Sequence, residues 1–382
     1  MRLIEADGKT LLRNHGLPVP DGRLLRGDAV LQRPERTVAL KAQILAGGRG
    51  KAGLVRLAEP DQAQQVAAQM RAALRARGDE PLLLVEPQVD IAAEYYLAWR
   101  VDDVRQAHVL MFSAQGGTEI EHHAASVREY PASPLRAVHP HHLLPFLAQA
   151  GVKGRALGAM TRFASELRRV FVASDAELLE INPLVVTPAG DLVALDAKVS
   201  LDDCAAVRHG EWRDLPSRAL QQAGMTDLER RAAAAGCTFV ELHGDVALLT
   251  GGAGLGMAIL DLVGDAGLKP ANFVDAPGGS GVDTFALQAQ LVFERAARPE
   301  VKAILLYLTL TASSLKGAVT GLLRLLDARK PPKPLVIGLV ATGSAEREMS
   351  TAEAQAAFAA RGHACVTELA DAIEALKAVV RA

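Results

Sequence analysis

The chain has 382 residues, 49% of them hydrophobic and 23% charged, enough to bury several cores in two or three domains. A formal net charge of -2 gives no global field for nucleic acid or a membrane surface, so any anion must be bound locally and small anions are the expected partners. The N-terminal stretch MRLIEADGKTLLRNHG lacks the apolar core of a signal peptide and no later run is long enough to span a bilayer, which predicts a cytoplasmic protein with no membrane partner. Cys204, Cys237 and Cys365 lie far apart without metal-type spacing, as expected of buried filler in a reducing compartment.

In chain order, a helix over Glu5 to His15 leads through Gly16 to Pro20 into alternating strands and helices, with an Ala/Arg-rich helix near Asp61 to Arg77. Strands are predicted at Thr37 to Ile44, Pro81 to Pro87, Glu94 to Arg100, His108 to Phe112, Leu178 to Val186 and Leu192 to Asp196. After an Ala-rich helix around Leu228 to Ala235, Phe239 to Leu242 and Val246 to Thr250 begin a different rhythm. Helices at Gly256 to Ala266, Asp283 to Ala297, Ser314 to Ala328, Ala352 to Ala360 and the C-terminus alternate with strands near Asn272 to Asp275, Ala303 to Leu308 and Leu335 to Ala341. Such βα alternation implies a parallel, doubly wound sheet with ligand sites at the carboxyl ends of its strands.

Three segments carry chemistry. In the first, Val38 to Gly53, one strand lysine precedes a loop of Gly47, Gly48, Gly50 and Gly53. Glycines let backbone N–H groups approach phosphate, and Lys41, Arg49 and Lys51 supply the neutralising charge. The spacing is neither a Walker A loop nor a Rossmann fingerprint, and a flexible hairpin with solvated cations is the bland alternative. In the second, the apolar strand Leu82 to Glu86 breaks at Pro87, a hinge whose unpaired backbone groups could meet an adenine edge, although an edge strand ending at proline reads the same way. In the third, period two puts Glu180 and Asn182 on one face, and a second strand brings Asp196 alongside, three oxygen donors suited to Mg2+. Polar residues on a solvated hairpin are the alternative there.

Together, AGGRGKAG, LVEPQVDIAAEYYL, SAQGGTEIEHHA, LLEINPLVV and LDAKVSLDD, followed by GGAGLGMAILDLV and PANFVDAPGG, closely resemble the β subunit of succinate–CoA ligase and relatives such as malate–CoA ligase over most of the chain. The resemblance implies an α/β protein: an ATP-grasp fold of two α+β lobes over 1–235, its small lobe at about 22–100, then a flavodoxin-like domain over 236–382. It implies ATP and Mg2+ on this chain, and a hetero-oligomer with an α-type partner that carries CoA and a phosphorylated histidine. Carried over position by position, Lys41, Gly48, Arg49 and Gly50 contact nucleotide phosphates, Glu86 and Glu94 sit at the nucleoside, and Asn182 with Asp196 holds Mg2+. Glu180 supports the phosphohistidine. This chain is then not expected to supply the nucleophile: His363 reads as a loop histidine without an orienting group, and His139, His141 and His142 as the solvated start of a helix.

The resemblance weakens at the acid-binding end. A glycine pair expected to open a helix is replaced within Leu308 to Lys316, where Ser313 or Ser314 can cap the helix and bind an anion. Gly251 stands for an asparagine, and Asp202-Asp203-Cys204 for Asp-Asp-Asn. The expectation is a ligase for a small carboxylic acid, succinate or a divergent relative, with these departures pointing to another carboxylate; a nucleotide-binding regulatory paralogue without turnover and a carboxylate–amine ligase acting alone are the alternatives.

Overall fold

A computed structural model describes residues 1–46, 49–50, 52–117, 126–275, 282–311 and 313–381, with backbone alone for 282–284. The chain divides into two units, Met1–Ala223 and Gly224–Ala382. In the first, strand β1 (Arg2–Leu3) and helix α1 (Glu5–Asn14) precede β2 (Arg23–Leu25), β3 (Val38–Ala42), β4 (Val55–Ala58), α2 (Ala63–Ala76) and β5 (Leu83–Pro87). Next come β6 (Ala93–Asp102), β7 (Ala107–Ser113), β8 (Arg128–Ala132), α3 (Pro140–Gln149) and α4 (Gly154–Ala173). The unit closes with β9 (Ala176–Val186), β10 (Leu192–Ala194) and β11 (Lys198–Leu201); α5 (Pro216–Gly224) ends at the division.

Two antiparallel sheets form this unit. The smaller has the order β2-β5-β3-β4. Alternate residues Leu40, Ala42, Leu83 and Val85 face α2, where Ala63, Ala67, Met70 and Leu74 complete a core. The same alternation turns Lys41 and Glu86 to the opposite face. The larger sheet runs β1-β11-β9-β6-β7-β8, with β10 also on β9, and Leu97, Trp99, Leu179 and Ile181 pack with Phe163, Leu167 and Phe171 of α4. The smaller sheet covers 23–87 of the span 22–100 expected for the small lobe; β6 belongs to the larger sheet. The 20-residue helix α4 has no counterpart in the sequence expectations, although Met160, Phe163, Ala164, Leu167, Val170 and Phe171 lie buried at helical spacing.

The second unit contains α6 (Asp227–Ala234), β12 (Thr238–Glu241), β13 (Val246–Thr250), α7 (Ala253–Asp265), β14 (Asn272–Asp275), α8 (Val282–Ala296) and β15 (Ala303–Leu310). It continues through α9 (Leu315–Ala328), β16 (Leu335–Ala341), α10 (Thr351–Ala359), β17 (Cys365–Val366) and α11 (Leu369–Arg381). The division after Ala223 places α6 here, twelve residues ahead of the expected boundary at 235/236. Strands β13-β15-β16-β17 pair in parallel. Beside β13, the buried Asn272 side chain takes over the ladder: its Oδ1 accepts from Leu248 N at 3.0 Å and its Nδ2 donates to Leu248 O at 2.8 Å. With β14 so placed, the order 2-1-3-4-5 of a flavodoxin-like sheet is complete. One face buries Leu249, Leu306, Leu308 and Ile337 with Val319 and Leu322 of α9, and the other Leu248, Leu305 and Tyr307 with α7 and α11.

Candidate functional site

Period two on β3 and β5 sends the Lys41 ammonium and the Glu86 carboxylate to the face away from α2, and α1 brings two further charges to them. Helical spacing puts Glu5, Gly8, Lys9 and Leu12 on one stripe, and all four are buried. A Cβ at Gly8 would lie 3.1 Å from Val199 Cγ2 and 3.2 Å from Ala197, so glycine lets the helix lie close against β11.

Six ionisable groups interlock there. Glu5 Oε1 accepts from Lys41 at 2.7 Å and pairs with Lys9 at 2.6 Å, while Oε2 lies 2.7 Å from the Arg49 guanidinium. Lys9 donates to both Glu86 oxygens at 2.6 and 2.7 Å, and Lys41 pairs with Glu86 Oε2 at 2.9 Å. The carbonyl of Leu195 accepts from Lys9 and Lys41. Arg49 spans onward, donating to Asp196 Oδ1 at 2.7 Å. Three cations balanced by three carboxylates satisfy the condition under which burial of charge is tolerated.

Burial opposes ionisation of Glu5, but the charges of Lys41, Lys9 and Arg49 outweigh it and hold the carboxyl far below the usual carboxylate range. For Lys41, burial works against the ammonium and is outweighed by Glu5, Glu86 and Asp196, so its pKa rises above that of an ordinary lysine. Arg49 is raised likewise, with Asp196 and Glu5 overcoming its burial. The cluster is closed on one side and open on the other: side-chain exposure is 0% for Glu5 and 2% for Lys9 and Glu86, against 11% for Lys41, 12% for Arg49 and 36% for Asp196. An anion arriving from solvent meets Lys41 and Arg49 first.

The loop after β3 closes as a hairpin, with Leu54 N donating to Arg49 O at 2.9 Å, and Gly50 lies exposed within it. Gly47, Gly48 and Lys51 lie outside the described residues. The hinge at Pro87 differs from expectation at one donor: Gln88 N donates to Thr37 O at 3.0 Å, so β5 remains paired one residue past the proline. Glu86 has both carboxylate oxygens engaged by lysines.

On the larger sheet, β9 pairs with β10 and β11 in the same register from Leu192 to Ser200, Ala194 opposite Leu184 and Lys198 opposite Glu180, so Asp196 falls opposite Asn182. Against β6 the same strand is bulged between Tyr95 and Leu97, at the cis Asn182–Pro183 peptide, where a proline without an N–H is accommodated. The Asn182 carboxamide grips Gly117, Oδ1 accepting from its N at 2.7 Å and Nδ2 donating to its O at 3.1 Å. Gly117 has a φ of +99°, and an added Cβ would lie 2.8 Å from Glu94 Oε2, so this approach requires glycine and places Glu94 beside the loop. The rest of that motif, 118–124, is outside the described residues.

Asn182 Oδ1 keeps a second lone pair, and Asp196 is partly open to solvent. This pair of hard oxygen donors fits a Mg2+ completed by phosphate oxygens and water. Glu180 Oε2 accepts from the Tyr96 hydroxyl at 3.3 Å and lies 3.9 Å from Lys198, and among the described residues no three His, Cys, Asp or Glu side chains gather with metal spacing. Burial, then the Glu180 charge, raises the Tyr96 hydroxyl above the usual tyrosine range, so it stays a donor.

In the second unit, the loops after β13 and β15 leave adjacent parallel strands at their carboxyl ends. A Cβ at Gly251 would stand 3.2 Å from both N and O of Thr309, so the loop after β13 runs close against the backbone of β15. Ser314 caps α9, its Oγ accepting from Gly317 N at 3.2 Å, and Ser313 is exposed beside it. His363 lies in the turn after α10, and His139 and His142 cap the start of α3 through His139 N to His142 Nδ1 at 3.2 Å.

The chain has counterparts among known proteins. The ATP-grasp domain family matches residues 2–186. A succinate–CoA ligase [ADP-forming] subunit beta 2 from Streptomyces coelicolor is 34% identical over 355 residues, 89% of this chain and 88% of that one. The corresponding β subunit from Rubrobacter xylanophilus is 38% identical over 304 residues, covering 76% and 78%, and the GDP-forming β subunit from Thermus thermophilus 33% over 357, covering 91% and 92%. Among solved structures, an ATP citrate lyase from Methanothrix soehngenii shares the fold at a TM-score of 0.73 and 18% identity, over 100% of this chain and 99% of that one. Among the described residues no helix is long and apolar enough to cross a membrane. The chain belongs to the family of succinate–CoA ligase β subunits, acid–CoA ligases built on an ATP-grasp fold.

Proposed function

We propose that this chain binds Mg–ATP in the first unit and serves as the nucleotide-binding subunit of an ADP-forming acid–CoA ligase, phosphorylating a histidine on an α-type partner that also holds CoA. The observation that carries the reading is the charged cluster in which Lys41 and Arg49, the least buried of its cations, lie beside the partly exposed Asp196. Phosphoryl transfer asks a protein chiefly for positioning and charge neutralisation, and this chain offers cations for phosphate oxygens and hard donors for a metal. Bound Mg2+ would supply charge neutralisation at the phosphates. Lys41 and Arg49 would hold the phosphates, Asp196 and Asn182 would hold the metal, and Glu180, which accepts from Tyr96, would support the partner's histidine. The histidine takes the terminal phosphoryl group of ATP with release of ADP, passes it to a carboxylate, and the CoA thiol attacks the acyl phosphate with release of inorganic phosphate. Gly251, Ser313 and Ser314 form the acid-binding end, and their departure from the family pattern points to a carboxylate other than succinate.

The test is acyl-CoA formation by the chain co-purified with its α-type partner across mono- and dicarboxylic acids. One acid turned over well, with ADP released and activity lost in Asp196→Ala, is the expected result. Robust succinyl-CoA formation overturns the substrate reading; tight Mg–ATP binding without turnover of any acid overturns the ligase reading.

A further inference from the structure

Glu5 and Lys9 belong to neither sheet of the first unit, yet they make most of the contacts that hold the candidate nucleotide cluster together. Both lie on its closed side, so a nucleotide entering from the open side reaches Lys41 and Arg49 without touching either. Charge compensation alone does not explain how the contacts are divided. Glu5 directs one oxygen to Lys41 and Lys9 and the other to Arg49, whose second nitrogen reaches Asp196. Lys9 in turn joins Glu86 on β5 to the carbonyl of Leu195, the residue before Asp196. A continuous chain of contacts therefore runs from α1 to both phosphate cations, to Glu86 and to the approach to the metal donor.

We propose that Glu5 and Lys9 are positioning residues of the nucleotide site, setting Lys41, Arg49, Glu86 and Asp196 in place before ligand arrives; the inference rests on the nucleotide reading above. Lysine and arginine lose much rotamer freedom when ordered, and here that ordering is completed at folding rather than at binding. The other polar contacts of α1 hold the helix in the register this positioning needs. Ala6 N donates to Gln43 Oε1 at 2.9 Å, and Asp7 Oδ2 accepts from Ser217 N at 2.8 Å.

The experiment is calorimetric titration of the full chain with Mg–ATP, alongside its thermal unfolding, for wild type, Glu5→Gln and the double variant Glu5→Gln/Lys9→Met. Glu5→Gln leaves three buried cations facing two carboxylates, so it is expected to lower Tm and to weaken Mg–ATP binding by about tenfold or more, the worth of a charged hydrogen bond. The double variant removes one charge of each sign. It is expected to recover Tm relative to Glu5→Gln while its affinity stays weak, because restored charge balance does not restore the geometry of Lys41 and Arg49. A double variant that binds Mg–ATP as tightly as wild type overturns the positioning role and leaves the pair as charge compensation. A wild-type chain that binds no Mg–ATP overturns the nucleotide reading beneath it.

Discussion

The two units present anion-binding chemistry in contrasting ways. In the first, the groups are long charged side chains, buried and bound to one another in a closed set. In the second, the expected groups are the exposed, serine-capped backbone start of α9 and a loop after β13 that runs close to β15 where Gly251 has no side chain. A buried ionic set leaves little freedom, since removing any member strands a charge in a low-dielectric interior. Backbone anion sites tolerate change in the neighbouring side chains. On the proposed reading, the contrast predicts that nucleotide binding and acid selection respond separately to mutation.

The largest effect that would sharpen the contrast is Lys41→Met. It removes a fixed positive charge at the phosphates and is expected to lower kcat/KM of the complex by about 10²- to 10³-fold, measured as acyl-CoA formation with ADP release. Next comes acid. The folded pKa of Glu5 is depressed, so below about pH 4.3 the unfolded chain binds more protons than the folded one. Its stabilising contribution is full above that pH and is lost as pH falls through the depressed native value; denaturant unfolding against pH is expected to show this slope flattened in Glu5→Gln.

A third change tests the second unit alone. Gly338 faces Tyr307 across β15 and β16, and a Cβ there would fall 2.1 Å from the ring, whose hydroxyl donates to Thr367 O at 2.7 Å. Gly338→Ala is expected to destabilise that unit by about 1–3 kcal/mol in thermal unfolding while Mg–ATP affinity stays at the wild-type value. The smallest effect is that of Ser314→Ala, which removes the cap of α9 at a cost of about 1 kcal/mol. It is expected to raise KM for the acid several-fold without moving the nucleotide Kd.

Much of the fold and the site is legible in the sequence, for physical reasons that also explain the gaps. Lys41, Arg49 and Asp196 stand out as a lone charge on an apolar strand, a cation in a glycine loop and a carboxylate after an apolar run, and the structure brings all three together. Asn182 follows from strand periodicity, which holds, but its grip on Gly117 depends on a loop distant in sequence. Glu5 and Lys9 escape a reading of the sequence because a Glu–Lys pair four residues apart usually marks a solvated helix face. The signal lies in their sharing a stripe with Gly8 and Leu12. The helix α4 carries no site motif and begins at Gly154 without a capping side chain, so only its regular apolar stripe marks it. The strand β14 lies where it is expected, but its link to β13 through the Asn272 side chain cannot be read from periodicity.

The most direct test of the nucleotide site is amide hydrogen exchange of the full chain with and without Mg–ATP. The account predicts new protection concentrated in β3, β5, the loop that closes at Arg49 and Leu54, and the stretch from Glu180 to Lys198. Protection confined to the second unit, or none at saturating Mg–ATP, would contradict it.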